Sequence, residues 1–487
     1  MSIQSEIERI RQNVVNAYEA VLEKGGDVPE RANSENLASS IRAIPSGGAG
    51  GPLSIRVDAP PGSTVTATKD GIIYTAKEKL GTWEILIPVY GIYVVKAVLG
   101  NNSTSLAVNV EPFSVSLTYT PQVYGVMWDQ SNTNSALTRL TSENDSNRVV
   151  NTYIAQEPVS AIGTTRAGSS PFDSLMPWSG MEQYNIINND VSHRRGQSGF
   201  SQTKYDTMVY IPEFWYRVVQ SGTKWWWYIS DRQKDGFEKH PGSGRYVGRY
   251  NTSGTGTTTG YTSKSGSPVR TGITRAQARS GSRSKGANWY QYDYATWCAI
   301  WLLYLVEYAN WNSQIKIGYG ITNDSSTHNS GQTDAMAYHT GRPDGEDGKT
   351  AVQYRWIENP FGNVNDYVDG INFGSRAAYI SLDNDNFGDD TASGYINSGV
   401  TLPSANNYIS KIGYSSSLQW AFLPNESEGS STTKIPDYIY SGSGARIFVA
   451  GGDFARGDLA GFFAFGASYE SSNSSDRVGA RLIYIPK

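Results

Sequence analysis

The chain has 487 residues, a net charge of −4, 38% hydrophobic and only 18% charged residues. It is long enough for about three domains, too weakly charged for a bundle of amphipathic helices, and it lacks the basic field a nucleic-acid backbone binder needs. Its one cysteine, Cys298, excludes an internal disulfide framework and a cysteine zinc site. The stretch Met1 to Arg11 is charged and without the apolar centre of a signal peptide, and the longest apolar run, Ala295 to Tyr308, is short for a membrane span and carries Glu307. These features predict a soluble protein without membrane insertion, released by lysis if it acts outside a cell.

The first predicted element is a helix. Ile3, Ile7, Ile10, Val14, Ala17 and Val21 alternate spacings of four and three, a heptad seam, with Ser2 as cap and Gly25-Gly26 as stop. A helix of about 20 residues is marginal alone. Its seam needs a partner, either the short helical stretch Ser34 to Ile44 or further copies of the chain. Residues 1–46 are thus expected to form a helical oligomerisation or attachment segment, and 47–52 a Gly-rich linker. Residues 53–117 carry short β-rich runs about every ten residues, among them Thr64 to Thr68, Trp83 to Ile87 and Tyr93 to Leu99. That spacing predicts an immunoglobulin-like β-sandwich, resembling carboxypeptidase-regulatory-like spacers and carrying no catalytic constellation. Residues 118–487 form one long region rich in Gly, Ser, Asn and Tyr. It contains one strong helix, Gln291 to Trp311, apolar nearly all round and therefore buried, with Cys298 an inert core thiol.

Five stretches of this last region carry a family resemblance. Ile357 to Gly370 reads IENPFGNVNDYVDG, with Phe361, Asn365 and Tyr367 where the signature of formylglycine-generating-enzyme-like domains has Trp. Met208 to Tyr216 and Trp225 to Ser230 resemble segments of phage tail proteins, as does Arg275 to Trp289. The end of the chain, Ala445 to Leu482, resembles the variable region of diversity-generating-retroelement target proteins. The matching framework positions include Arg446, Gly451, Gly452, Gly457, Ala460, Gly461, Phe463, Asn473, Gly479, Arg481 and Leu482. The resemblance implies a C-type lectin fold for 118–487, so that the whole is a multidomain α+β protein. It also implies a variable region at about 446–482.

Between the framework positions lie residues of no shared character and no strand or helix period. Asp453, Phe454, Ala455, Arg456, Asp458, Leu459, Ala464, Gly466, Ser468, Tyr469 and Glu470 are expected to face solvent and contact a ligand, Phe454 and Tyr469 as anchors and Arg456 and Asp458 for polar specificity. The implied function is that of a non-enzymatic phage tail-tip receptor-binding protein of the virion. Its expected partners are a host-cell surface protein or glycan and other tail proteins, and it is expected to form a homotrimer by analogy to phage fibres. A bacterial surface adhesin and a lectin-fold enzyme are the alternatives. The enzyme reading lacks paired cysteines and any HExxH, GxSxG or P-loop motif, and the four histidines (His193, His240, His328, His339) lack ligand spacing. Asp293, Glu307 and Glu358 are the acids a glycosidase pair would draw on. No cofactor is expected. The run Asp383 to Asp390 leaves room for a structural calcium, but Gly394 stands where an EF-hand loop ends in Glu.

Overall fold

The computed structural model describes residues 53–79, 82–88, 91–100, 102–110, 115–118 and 120–486. The expected helical segment 1–46 and linker 47–52 lie outside the described residues. The chain divides into two compact units, residues 1–120 and 121–487, and strand far outweighs helix.

In the first unit, eight strands are described: β1 (Ser54–Asp58), β2 (Thr64–Lys69), β3 (Ile72–Thr75), β4 (Lys77–Lys79), β5 (Thr82–Leu86), β6 (Gly91–Leu99), β7 (Asn102–Val110) and β8 (Val115–Thr118). They form two sheets, β4-β5-β1-β8 and β3-β2-β6-β7, with β8 parallel to β1 and every other pairing antiparallel. Alternation decides the faces. In β6, Tyr93, Val95 and Ala97 point inward while Ile92, Val94 and Lys96 are exposed. The inward residues of β6 meet Ile55, Val57, Trp83 and Ile85 of the other sheet in one core. Asp70 and Gly71, both at positive φ, make the two-residue turn that sets Lys69 opposite Ile72.

The second unit is organised around a buried helix. The helices here are α1 (Arg275–Arg283), α2 (Tyr294–Tyr308) and the short α3 (Ser313–Ile317). All fifteen residues of α2 are buried. The Asp293 side chain caps its start by accepting from the Thr296 N–H, and Ala309 ends it in the left-handed conformation. Helix α2 packs on the strands Val123–Asp129 and Lys224–Ser230 and on Asn365–Gly374. Trp297 meets Phe448 at 5.1 Å between ring centroids, and Trp301 meets Phe422 at 5.6 Å. Strand Lys224–Ser230 is the centre of a five-stranded sheet, paired on both sides.

The largest sheet has eight strands. Its path runs Ile396–Thr401, Ala377–Ile380, Asn365–Gly374, Ala445–Ala450, Phe465–Ala467, Ile435–Ser441 and Asn407–Ile409, with Val478–Gly479 parallel to the start of Asn365–Gly374. The stretch Ile357 to Gly370 therefore begins in a short strand, turns through Asn359, Gly362 and Asn363 at positive φ, and enters the centre of this sheet. Buried ion pairs lock the sheet to its surroundings. Arg481 pairs with Asp366 at 2.9 Å, and Arg279 with Asp369 at 2.6 Å.

Candidate functional site

The sequence-predicted contact residues fall on two connections of the eight-stranded sheet. The first joins Ala445–Ala450 to Phe465–Ala467; the second follows Phe465–Ala467. Phe465–Ala467 runs antiparallel to Ala445–Ala450 and parallel to Ile435–Ser441, so residues of all three strands meet at one place. The first connection is folded tightly by its glycines. A Cβ on Gly452 (φ 79°) would stand 2.7 Å from the Ala460 Cβ, and one on Gly461 would stand 2.3 Å from the Asp437 carboxylate.

Asp453 is the hub of this connection, and it corrects the expectation of solvent exposure. It is fully buried. Its carboxylate accepts from Asn365 Nδ2 at 2.9 Å, the Ala455 N–H at 3.1 Å, Arg456 Nε at 3.0 Å and an Arg477 guanidinium nitrogen at 3.4 Å. Asn365 also accepts the Gly452 N–H at 3.1 Å through Oδ1. A carboxylate with that many donors is an internal fastener, not a ligand contact. Phe454 is the second correction. It packs with Ile321 and Ala351, under the Arg477 guanidinium at 5.1 Å, and so cannot be an exposed anchor. The loss of water around its ring outweighs display, and the backbone follows: Phe454 donates to Asn363 O and accepts from the Asp324 N–H.

Six of the predicted residues are brought together. Arg456, Leu459, Ala464, Gly466, Ser468 and Tyr469 line one cavity of about 120 Å³. Asn365, Tyr438, Tyr440, Val449, Gly452 and Phe465 complete it. Ala464 and Gly466 are buried as residues, yet they form its wall. Arg456 spans the rim. Its guanidinium lies 4.8 Å from the Tyr440 ring centroid and donates to the Tyr440 hydroxyl at 2.9 Å. Burial works against its charge, but Asp453 and Tyr440 more than restore it, and its pKa is raised. Ala455 and Asp458 are exposed outside the cavity. Glu470 is exposed and paired with Arg446 at 3.3 Å. Burial, then a hydrogen bond to Asp458, pushes the Tyr408 hydroxyl up to about 12.

Tyr438 and Tyr440 were not among the predicted site residues. They stand two apart on one strand, with Ile439 buried between them, and Tyr408 pairs across from Tyr438. Ring centroids are 4.7 Å apart for Tyr438 and Tyr440 and 5.3 Å apart for Tyr408 and Tyr438. The signal was present as the Tyr-Ile-Tyr alternation, which puts two tyrosines on the face opposite the core.

Beneath the cavity, Asp437 is buried and accepts the Phe463 N–H at 2.7 Å. Burial pushes its carboxyl well above the ordinary value of 3.8, and the Phe463 N–H only partly opposes this. The folded chain therefore holds this proton more tightly than the unfolded chain. The stabilisation is complete below the ordinary carboxyl range and is lost as pH rises towards the folded value. Asp437→Asn keeps an oxygen for Phe463 and cannot ionise. It is expected to stabilise the second unit by about 1–3 kcal/mol at about pH 8, and by much less at about pH 4. Urea midpoints at the two pH values check this. A variant whose stability falls with pH as steeply as the parent chain's would overturn it.

The acids weighed for catalysis are each committed elsewhere. Asp293 pairs with Arg245 at 2.7 Å. Glu307 accepts from Ser170 Oγ at 2.7 Å and Tyr354 at 2.9 Å, and pairs with Arg355. Glu358 accepts from the Gly331 and Thr333 N–H groups and the Thr333 hydroxyl, and burial raises its pKa. Burial pushes the Cys298 thiol up to about 12, far from a reactive thiolate. His240 stacks on Phe214, His328 bonds Asp324 and His339 bonds Asp173. In the run Asp383 to Asp390, Asp385 pairs with Arg283, and Asp389 pairs with Arg275 and Arg279. Among the described residues no group of three or more His, Cys, Asp or Glu is placed to hold a metal ion. No protein-family model matches the chain, and no curated protein matches it.

Proposed function

We propose that this chain is a non-enzymatic ligand-binding protein, a phage tail-tip adhesin that carries a retroelement-diversified face on a C-type-lectin-type domain. The observation that supports the reading is the convergence of Arg456, Leu459, Ala464, Gly466, Ser468 and Tyr469 on one cavity. In the sequence these positions share no strand or helix period and fall where the resembled family varies. The frame around them is the opposite in character, with buried ion pairs, tight glycine turns and an aromatic core. Such a frame tolerates exchange at the rim, where substitutions are typically worth within about 0.5 kcal/mol. Tyrosine and arginine at the rim suit recognition, since they give large contact area at low entropy cost.

Deep sequencing of codons 446–482 across a population tests the reading. Amino-acid changes are expected to cluster at Ala455, Arg456, Asp458, Leu459, Ser468 and Tyr469, with Gly451, Gly452 and Gly461 constant. Changes spread evenly over the segment, or confined to silent sites, would sink it.

A further inference from the structure

The cavity on this face has a floor and a rim of different chemistry. Val449, Leu459, Ala464 and Phe465 give it apolar walls. Two of the polar side chains that line it, Asn365 and Arg456, are turned to partners within the fold. Asn365 uses Oδ1 on the Gly452 N–H and Nδ2 on Asp453. Arg456 uses Nε on Asp453 and another nitrogen on the Tyr440 hydroxyl. Arg456 is drawn towards Asp453 at 3.0 Å, a carboxylate it shares with Arg477 at 3.4 Å.

Size points the same way. At about 120 Å³ the space is somewhat smaller than the apolar cavity of roughly 150 Å³ that takes one benzene. A branched aliphatic side chain fits it. A sugar ring with its hydroxyls is bulkier than benzene and exceeds the space, and Val449, Leu459, Ala464 and Phe465 offer its hydroxyls no side-chain partner. The rim of Tyr440, Tyr469 and Arg456, extended by Tyr438 and Tyr408, has the composition of a protein-binding hot spot that excludes water from a central anchor.

We propose that the cavity takes one projecting aliphatic side chain of a partner protein, with the partner's backbone lying across the tyrosine rim. This rests on the reading that the face binds a ligand, and it narrows that ligand to a protein.

The test offers the full chain a displayed random-peptide library and a glycan array in parallel. Two variants fill the cavity: Ala464→Leu from its wall and Ser468→Phe from its rim. The second needs no rearrangement of the core and covers the case in which the first does not fold. The expected result is a family of peptides sharing one Leu, Ile, Val or Met, with recovery reduced about tenfold or more by the filling substitutions. Glycan hits lost on filling, with no such peptide family, would overturn the proposal while leaving a ligand-binding face. Peptides recovered equally by both variants would overturn it too, as would no hit that depends on the cavity. If codon sequencing also showed no clustering, the ligand-binding reading would fall with it.

Discussion

Replacing Arg481 with methionine is expected to destabilise the second unit by about 3–5 kcal/mol, read as a drop in the urea midpoint followed by tryptophan fluorescence. Arg481 is fully buried. Its Nε donates to Asp366 at 2.9 Å, and its other nitrogens donate to the carbonyls of Gly248, Arg249, Glu358 and Asn359 at 2.8–3.2 Å. One side chain thus ties the last strand of the chain to a strand more than two hundred residues away and to the end of the short strand Ile357–Glu358. Methionine fills similar space but leaves four carbonyls with fewer donors and Asp366 without its cation. Burial already raises the Asp366 pKa and Arg481 pulls it back, so the lone acid is expected to take up a proton. Adding Asp366→Asn should recover part of the loss, because the two residues act as a unit. A single substitution costing under about 1 kcal/mol would refute this account.

Glu307→Ala is expected to cost a comparable amount, about 3–5 kcal/mol, by the same measurement. Glu307 sits in the last turn of α2, where a helix disfavours negative charge. It is held there by Arg355, Tyr354 and Ser170. Burial opposes the Arg355 charge, and Glu307 more than compensates. Alanine would leave that guanidinium buried, with the partly exposed Asp173 as its remaining salt-bridge partner and His339 and the Ser170 hydroxyl beside it. Glu307→Gln keeps one of the two acceptor oxygens that Ser170 and Tyr354 use and fills the same space, and it is expected to lose less than alanine. If the two substitutions proved equal and mild, the ion pair would not be what holds the end of α2.

Helix α2 was legible because its apolar residues run all round, which only a buried helix permits. The strands of residues 53–117 were legible from short β-rich runs about ten residues apart. Asp453 and Phe454 were not legible as interior residues. Their partners, Asn365, Arg477, Ile321 and Ala351, are remote in sequence, and a short loop of mixed character gives no period from which burial could be read. The acidic run Asp383 to Asp390 suggested a cation. The better signal lay elsewhere: Arg275, Arg279 and Arg283 recur every four residues, forming a basic stripe along α1 that meets Asp369, Asp385 and Asp389. Tyr438 and Tyr440 lie one strand before the final segment, outside the stretch that carries the family resemblance.

The position of Asp453 has a consequence for inheritance. Its carboxylate fastens Arg456 on one side and Arg477 on the other, so these three codons are not independent. A neutral residue at 453 strands two guanidiniums together, and lineages that lose the acid should also shed one or both arginines. If the face is diversified as proposed, change at these three positions would be linked, and the number of workable combinations would be smaller than the product of the three taken separately.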